Sequence, residues 1–215
     1  MRLFIAIPLP AGIAAAAAAA IPDLAGLRRV EPELIHLTLA FLGTTPDDRL
    51  ASVIEAVRAG ALGTAPLDIE LDHAGRFPRS GLPRVAWLGM SRGADGASAL
   101  AAAIRTELAG RSIEFDAKPF RPHVTLGRVR EKATDDEARA VGVALDAVRV
   151  PPLRFTADGV HVIESHLSSK GPRYTSRAVV PLAVGGKPES GSPRVDRGAR
   201  DERPRIPRAA RPRPR

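Results

Sequence analysis

The chain has 215 residues, 44% of them hydrophobic and 26% charged, which is ordinary for a globular protein with one sizeable domain or two small lobes. It has no cysteine, which excludes disulfides and thiolate metal sites and fits a reducing, cytoplasmic location. The net charge is +8, and residues 186–215 contribute most of it, with ten Lys and Arg against four Asp and Glu.

The N-terminal segment has two competing interpretations. Residues 3–22 carry no charge and include an alanine run, so the segment resembles a signal peptide or a membrane span. Pro8 and Pro10 interrupt the run, however, and alanine contributes little to membrane insertion. We therefore predict a buried strand at Arg2–Ile7, an alanine-rich helix at Ala11–Leu27 and no membrane association.

The rest of the chain reads as two copies of one order of elements. The first half continues with a strand at Leu34–Phe41, a helix and a strand at Leu67–Gly75. The helix is predicted to begin with Thr45 as N-cap and Pro46 at its first position. It is predicted to end near Ala59, at Gly60 and Gly63. The second half predicts a strand at Arg84–Met90, a helix at Gly93–Gly110, a strand around His123, a helix at Thr134–Val148, and strands at Leu153–Glu164 and Ser176–Val184.

Each half therefore reads strand, helix, strand, helix, strand. This agreement predicts an α+β fold of two duplicated lobes, with two antiparallel sheets facing a central cleft and helices outside. The domain is expected to span residues 1–185. Residues 186–215 are expected to form a disordered Pro- and Arg-rich tail, which either contacts nucleic acid or serves only as a solubilising extension.

Two identical H-x-T-L tetrapeptides occupy equivalent places in the two halves, at His36–Leu39 and His123–Leu126. Residues i and i+2 of a strand share a face, so each histidine projects together with its threonine. Two imidazoles can act as acid and base near neutral pH, and hydroxyls can bind phosphate oxygens. One such motif is usually a pair of polar residues on a solvated strand, but two at equivalent places indicate a shared site.

These motifs resemble those of the 2H phosphoesterases, and most closely the RNA 2′,3′-cyclic phosphodiesterases, also described as 2′-5′ RNA ligases. The resemblance covers about residues 1–184 and rests on "MRLFIAI", "IHLTLAFLG", "FRPHVTLGR" and "ESHLSSKGPRY". It implies a bilobal fold and hydrolysis of a terminal RNA 2′,3′-cyclic phosphate to a 2′-phosphate. It also implies His36 as proton donor and His123 as proton acceptor, with Thr38 and Thr125 binding the phosphate.

Three further residues and several alternative functions complete the expectations from the sequence. Arg128, just past the second motif, is expected to add positive charge to the phosphate site. Phe41 is expected to pack in the first lobe rather than stack on a base, and Tyr174 either closes the cleft or covers the sheet. We expect a monomer that acts on RNA without a metal or another cofactor. The alternatives are 2′-5′ RNA ligation, hydrolysis of another small cyclic nucleotide, and a non-catalytic module that binds RNA ends.

Overall fold

The computed structural model describes residues 1–168 and 171–183. Within these residues the chain forms nine strands: β1 (Arg2–Pro8), β2 (Leu27–Arg29), β3 (His36–Thr44), β4 (Leu67–Phe77), β5 (Val85–Arg92), β6 (His123–Val129), β7 (Leu153–Ala157), β8 (Gly159–Ser168) and β9 (Gly171–Pro181). The described helices are α1 (Ala11–Ala19), α2 (Leu50–Ala61), α3 (Ala94–Gly110) and α4 (Asp135–Ala147). The predicted tail and Val184 lie outside the described residues.

All strand pairs are antiparallel, and the α+β class is confirmed. The strands form one hydrogen-bonded path in the order β7-β4-β5-β6-β3-β1-β8-β9, with β2 added to β6. The expectation of two separate sheets therefore needs correction. The two histidine strands, β3 and β6, meet at one residue pair, Leu37 and Val124, which links the two sets of strands into a continuous path.

The two halves of the chain also exchange strands. Strand β4 follows α2 in the first half but pairs with β5 of the second half. Strand β8 follows α4 in the second half but pairs with β1 of the first half. Local periodicity shows which side chains face the core, whereas the choice of a partner strand depends on contacts far along the chain.

Two helix boundaries differ from the prediction. Helix α1 ends at Ala19 rather than Leu27, since Pro22 cannot donate a backbone hydrogen bond to continue it. Helix α2 begins at Leu50, after a 3-10 turn at Asp47–Arg49, and Pro46 is extended with ψ of 145° instead of occupying the first helical position. Thr45 does not cap this helix, and its hydroxyl donates to the Gly43 carbonyl at 3.3 Å instead.

Most other elements are confirmed. Strand β1 lies in the interior of the sheet, between β3 and β8. Helix α4 begins with a capping box, in which the Thr134 hydroxyl and the Glu137 carboxylate each accept from the other residue's backbone N–H. The strand predicted at Leu153–Glu164 is divided at Asp158 into β7 and β8. No helix among the described residues is long and apolar enough to span a membrane.

The motif strands separate apolar from polar side chains across the sheet. Leu37, Leu39, Val124 and Leu126 are at most 1% exposed and belong to the main hydrophobic core. The histidines and threonines that alternate with them are half-buried and lie on the opposite face. Helices α2 and α3 pack against each other, and α3 also contacts β3, β4 and β5.

Gly60 does not end α2 but lies within it, against α3. A Cβ atom added at Gly60 would lie 2.6 Å from the Ile104 Cα, a distance that requires the two helices to separate. We expect Gly60→Ala to lower the free energy of unfolding by about 1–3 kcal/mol, as overpacking does in cores. Urea denaturation measures this change.

Gly12 in α1 provides the matched control, because a Cβ added there meets no atom within 4 Å. Gly12→Ala should raise the free energy of unfolding by about 0.4–1 kcal/mol, since alanine restricts the unfolded chain. A Gly60→Ala protein as stable as the wild type would contradict the close helix contact.

Candidate active site

Each motif histidine lies at the first position of its strand and is held by the same backbone contact. The His36 Nδ1 is 2.7 Å from the Leu34 carbonyl oxygen, and the His123 Nδ1 is 2.6 Å from the Arg121 carbonyl oxygen. A carbonyl oxygen only accepts, so Nδ1 carries the proton in both rings. The Nε2 atoms, which have no hydrogen-bond partner among the described residues, are therefore the atoms available for proton transfer.

Aromatic rings fix the orientation of both imidazoles. His36 packs against Phe4 of β1, with ring centroids 4.8 Å apart, and against Tyr174 of β9 at 5.5 Å. His123 packs edge-on against Phe77 of β4 at 5.0 Å and against Trp87 of β5 at 6.1 Å. These contacts restrict ring rotation and remove water from one side of each imidazole.

The surroundings of both histidines favour the neutral ring. Burial is the main cause that lowers the pKa of His36 and of His123 below the usual 6.5, and the backbone hydrogen bond partly opposes it in each. The positive charge of Arg128 lowers both pKa values further, and His123 also lowers that of His36. Both Nε2 atoms are consequently proton acceptors near pH 7 in the unliganded protein.

A β-bulge in β6 turns Arg128 toward the histidine face. Thr125 lies opposite Trp87, whereas Gly127 lies opposite the adjacent Ala86, so β6 contains one extra residue at this point. Simple alternation would place Arg128 on the face opposite to Thr125. The extra residue reverses the alternation, and Arg128 lines the same cleft as Thr125.

An equivalent bulge occurs in β3. Thr38 lies opposite Ala6 and Ala40 lies opposite Ile5, so β3 also contains one extra residue after its threonine. Phe41 follows His36 by five residues, just as Arg128 follows His123. Phe41 lines the cleft, and its side chain is 36% exposed. The expectation that Phe41 packs in the first lobe is therefore wrong, because the bulge brings its ring out of the core.

The cleft has a volume of about 530 Å³. Four of the five residues predicted for the site line it, namely His36, Thr38, Thr125 and Arg128. His123 does not line this volume, although it lies two residues from Thr125 and its charge affects the pKa of His36. Neither Thr38 nor Thr125 has a hydrogen-bond partner for its hydroxyl among the described residues, so both hydroxyls can donate to a ligand.

The cleft lining is strongly basic. Besides Arg128 it includes Arg2, Arg28 and Arg29. Among the described residues, Glu31 is the one acidic residue of the lining. The Arg2 guanidinium lies 5.0 Å from the centre of the Phe41 ring, and Arg29 forms an ion pair with Asp23 at 2.5 Å. Sequence reasoning missed Arg28 and Arg29, because nothing local to "LRR" indicates that β2 joins β6.

Tyr174 also lines the cleft, where it covers His36. Burial raises the pKa of its hydroxyl, so this group remains a hydrogen-bond donor at neutral pH. Among the residues that the structure describes, no three His, Asp or Glu side chains are grouped so that they could hold a metal ion.

Comparison with known sequences supports the resemblance seen in the motifs. The sequence model of the 2′-5′ RNA ligase superfamily matches residues 11–168. An RNA 2′,3′-cyclic phosphodiesterase of Thermus thermophilus is 35% identical over 81% of this chain and 87% of its own length. A protein of the same name from Escherichia coli K12 is 37% identical over 72% of this chain and 78% of its own length.

Solved structures agree with this assignment. A crystal structure of a Thermus thermophilus protein covers 86% of this chain and 100% of its own, with a TM-score of 0.69 and 31% identity. The structure of Escherichia coli LigT complexed with 3′-AMP covers 84% of this chain and 97% of its own, with a TM-score of 0.64 and 31% identity.

Arg128 offers a direct test of the site's electrostatics. Because its charge lowers both pKa values, Arg128→Gln should raise the pKa of His36 and of His123, so that both rings gain protons at higher pH than in the wild type. Imidazole ¹⁵N NMR across a pH titration measures this shift.

Arg130→Gln is the matched control, since Arg130 is exposed and does not contribute to either histidine's pKa shift. Its titration curves should coincide with those of the wild type. Unchanged histidine pKa values in Arg128→Gln would show that the Arg128 guanidinium does not act on the two rings.

Proposed function

The chain belongs to the 2′-5′ RNA ligase superfamily, and we propose that it hydrolyses the terminal 2′,3′-cyclic phosphate of RNA to a 2′-phosphomonoester without a metal ion. One observation carries this proposal: the pairing of Leu37 with Val124 brings the two H-x-T motifs together, each with its histidine Nδ1 bound to a carbonyl. In this proposal, the two imidazole Nε2 atoms and the two threonine hydroxyls act on one phosphate.

The reaction requires two proton transfers. Nε2 of neutral His123 takes a proton from water as the water oxygen forms a bond to phosphorus. The bond between phosphorus and the 3′-oxygen breaks, and protonated His36 donates its Nε2 proton to that oxygen. The products are a 3′-hydroxyl and a 2′-phosphate, and each proton transfer typically contributes roughly a hundred- to ten-thousand-fold in rate.

Charge on the phosphate is balanced by the remaining groups. Thr38 and Thr125 donate hydrogen bonds to the non-bridging oxygens, where negative charge grows in the transition state. Arg128 adds a fixed positive charge, and a guanidinium can bind two phosphate oxygens at once. The β-bulge in β6 supports this role, because it directs Arg128 to the cleft.

The lowered pKa of His36 keeps its ring neutral in the unliganded protein, whereas a proton donor must be protonated. A bound phosphate supplies a negative charge next to the ring, and a nearby opposite charge favours the protonated imidazole. Substrate binding therefore raises the pKa of His36 and prepares it for donation. His123, whose pKa is also lowered by burial, begins as the neutral base.

We further propose that the fold is a duplicated, two-lobed arrangement around the cleft. Three equivalences support it. Strand β1 lies between β3 and β8, as β5 lies between β6 and β4. Each motif strand has a bulge after its threonine. Each histidine binds the carbonyl two residues before it. A duplicated arrangement explains why one site receives two like sets of acid–base groups.

Residues 1–185 are proposed to form the catalytic domain and residues 186–215 a basic extension that contacts RNA. The extension's excess of six positive charges supports electrostatic contact with phosphates. This contact is not specific for sequence, and the chemistry at the cleft does not require it.

The proposed reaction is tested by incubating the protein with a short RNA that ends in a 2′,3′-cyclic phosphate, in the presence of a chelator and without nucleoside triphosphate. We expect a 2′-phosphate end. Mass spectrometry and phosphatase sensitivity show that the ring has opened, and chromatography against authentic 2′-phosphate and 3′-phosphate standards shows which isomer forms. His36→Ala and His123→Ala should each lower the rate by roughly a hundred- to ten-thousand-fold, since each removes one proton transfer.

His166→Ala serves as the matched control, because His166 lies on β8 outside the cleft lining and should leave the rate unchanged. A 3′-phosphate product, a requirement for metal, or full activity in either motif variant would contradict the proposed reaction.

A further inference from the structure

Strand β2 lies along β6 and forms one wall of the cleft. Its residues pair with β6 from Leu27 opposite Val129 to Arg29 opposite Gly127. Further backbone hydrogen bonds extend the pairing at both ends, from Val30 N–H to the Leu126 carbonyl and from Arg130 N–H to the Gly26 carbonyl, each at 2.8 Å. The position of β2 is therefore fixed by main-chain contacts.

This pairing places two arginines directly opposite each other. Arg28 is the partner of Arg128, so their side chains leave the same face of the antiparallel pair, and both line the cleft. Like charges directly opposite each other on a sheet are destabilising. Neither guanidinium forms an ion pair or a hydrogen bond with any residue in the described ranges, and Glu31, which also lines the cleft, is paired with neither.

The close approach of β2 depends on Gly127. A Cβ atom added at Gly127 would lie 2.9 Å from the Leu27 Cγ and 3.1 Å from the Arg28 carbonyl oxygen. A side chain at this position would require the Leu27 side chain to move and the Arg28 carbonyl to shift by a few tenths of an ångström. Without a side chain at this position, β2 lies close enough to β6 for Arg28 to stand opposite Arg128, next to the histidine motif.

We propose that Arg28, together with Arg128, binds the phosphodiester that precedes the cyclic phosphate, so that the site selects the end of an RNA chain over a mononucleotide. A phosphodiester between the two guanidiniums would remove their repulsion and accept hydrogen bonds from both. Arg128 then spans two phosphates, the reacting one and its neighbour, whereas Arg28 acts only on the neighbour. This inference rests on the proposed cyclic phosphodiesterase activity.

The test compares kcat/KM for a mononucleoside 2′,3′-cyclic phosphate with kcat/KM for a tetranucleotide that ends in the same cyclic nucleotide. The wild type should prefer the tetranucleotide. In Arg28→Gln the ratio of the two values should fall by roughly tenfold to a hundredfold, the loss expected for a hydrogen bond to a charged group. Arg130→Gln, a neighbouring exposed arginine, should keep the wild-type ratio.

A neutral methylphosphonate in place of the last phosphodiester identifies the contact. With this substrate the wild type should lose at least the factor that Arg28→Gln loses, because both arginine contacts are weakened. The methylphosphonate should cost Arg28→Gln less than it costs the wild type, because only the Arg128 contact remains to be weakened. Thermal denaturation should show Arg28→Gln at least as stable as the wild type, because one of two facing like charges is gone.

The outcomes separate this inference from the function on which it rests. Equal losses on both substrates in Arg28→Gln would assign Arg28 to the reacting phosphate and overturn the subsite. Wild-type kcat/KM on both substrates in Arg28→Gln would also overturn the subsite. So would a wild type that does not prefer the tetranucleotide. Failure of the wild type to hydrolyse either substrate would instead refute the proposed activity.

Discussion

A single antiparallel pairing, Leu37 with Val124, joins the two sets of strands on which the site is built. Both residues are fully buried, and each is the middle residue of an H-x-T triplet. Because neighbours in a strand point to opposite faces, burying Leu37 and Val124 on the core side turns both histidines and both threonines to the other face. The contact that stabilises the sheet is thus also the contact that assembles the site.

Around this pairing the two halves have similar backbones but different side chains. The bulge after each threonine presents the residue five positions beyond the histidine, which is Phe41 in β3 and Arg128 in β6. One half therefore offers an exposed aromatic ring and the other a guanidinium to the same cleft. The equivalent backbones place the two H-x-T pairs alike, while the residues that follow them make the cleft asymmetric.

Much of the site could be predicted from the sequence because its signal is local. The H-x-T repeat specifies which side chains share a face, and the Thr134 N-cap with its acidic first turn specifies the start of α4. Arg128 was predicted from its position in the motif, although strand alternation alone would have directed it to the wrong face. A bulge adds one residue without a distinctive sequence, so the exposure of Phe41 could not be foreseen.

The features that sequence reasoning missed depend on contacts between distant segments. The exchange of β4 and β8 between halves, the packing of Phe77 and Trp87 on His123, and the addition of β2 to β6 all join residues far apart in the chain. The early end of α1 is different, because Pro22 is visible in the sequence and alanine content outweighed it in our prediction.

The central claim is that the two motifs act on one phosphate, and the most direct test is a crystal structure of the protein with a nucleoside 2′-monophosphate, the product of the proposed reaction. The account predicts one phosphate within hydrogen-bond distance, about 3 Å, of Nε2 of both His36 and His123, with the Thr38 and Thr125 hydroxyls on its oxygens. A phosphate bound by only one histidine, or bound elsewhere in the cleft, would contradict it.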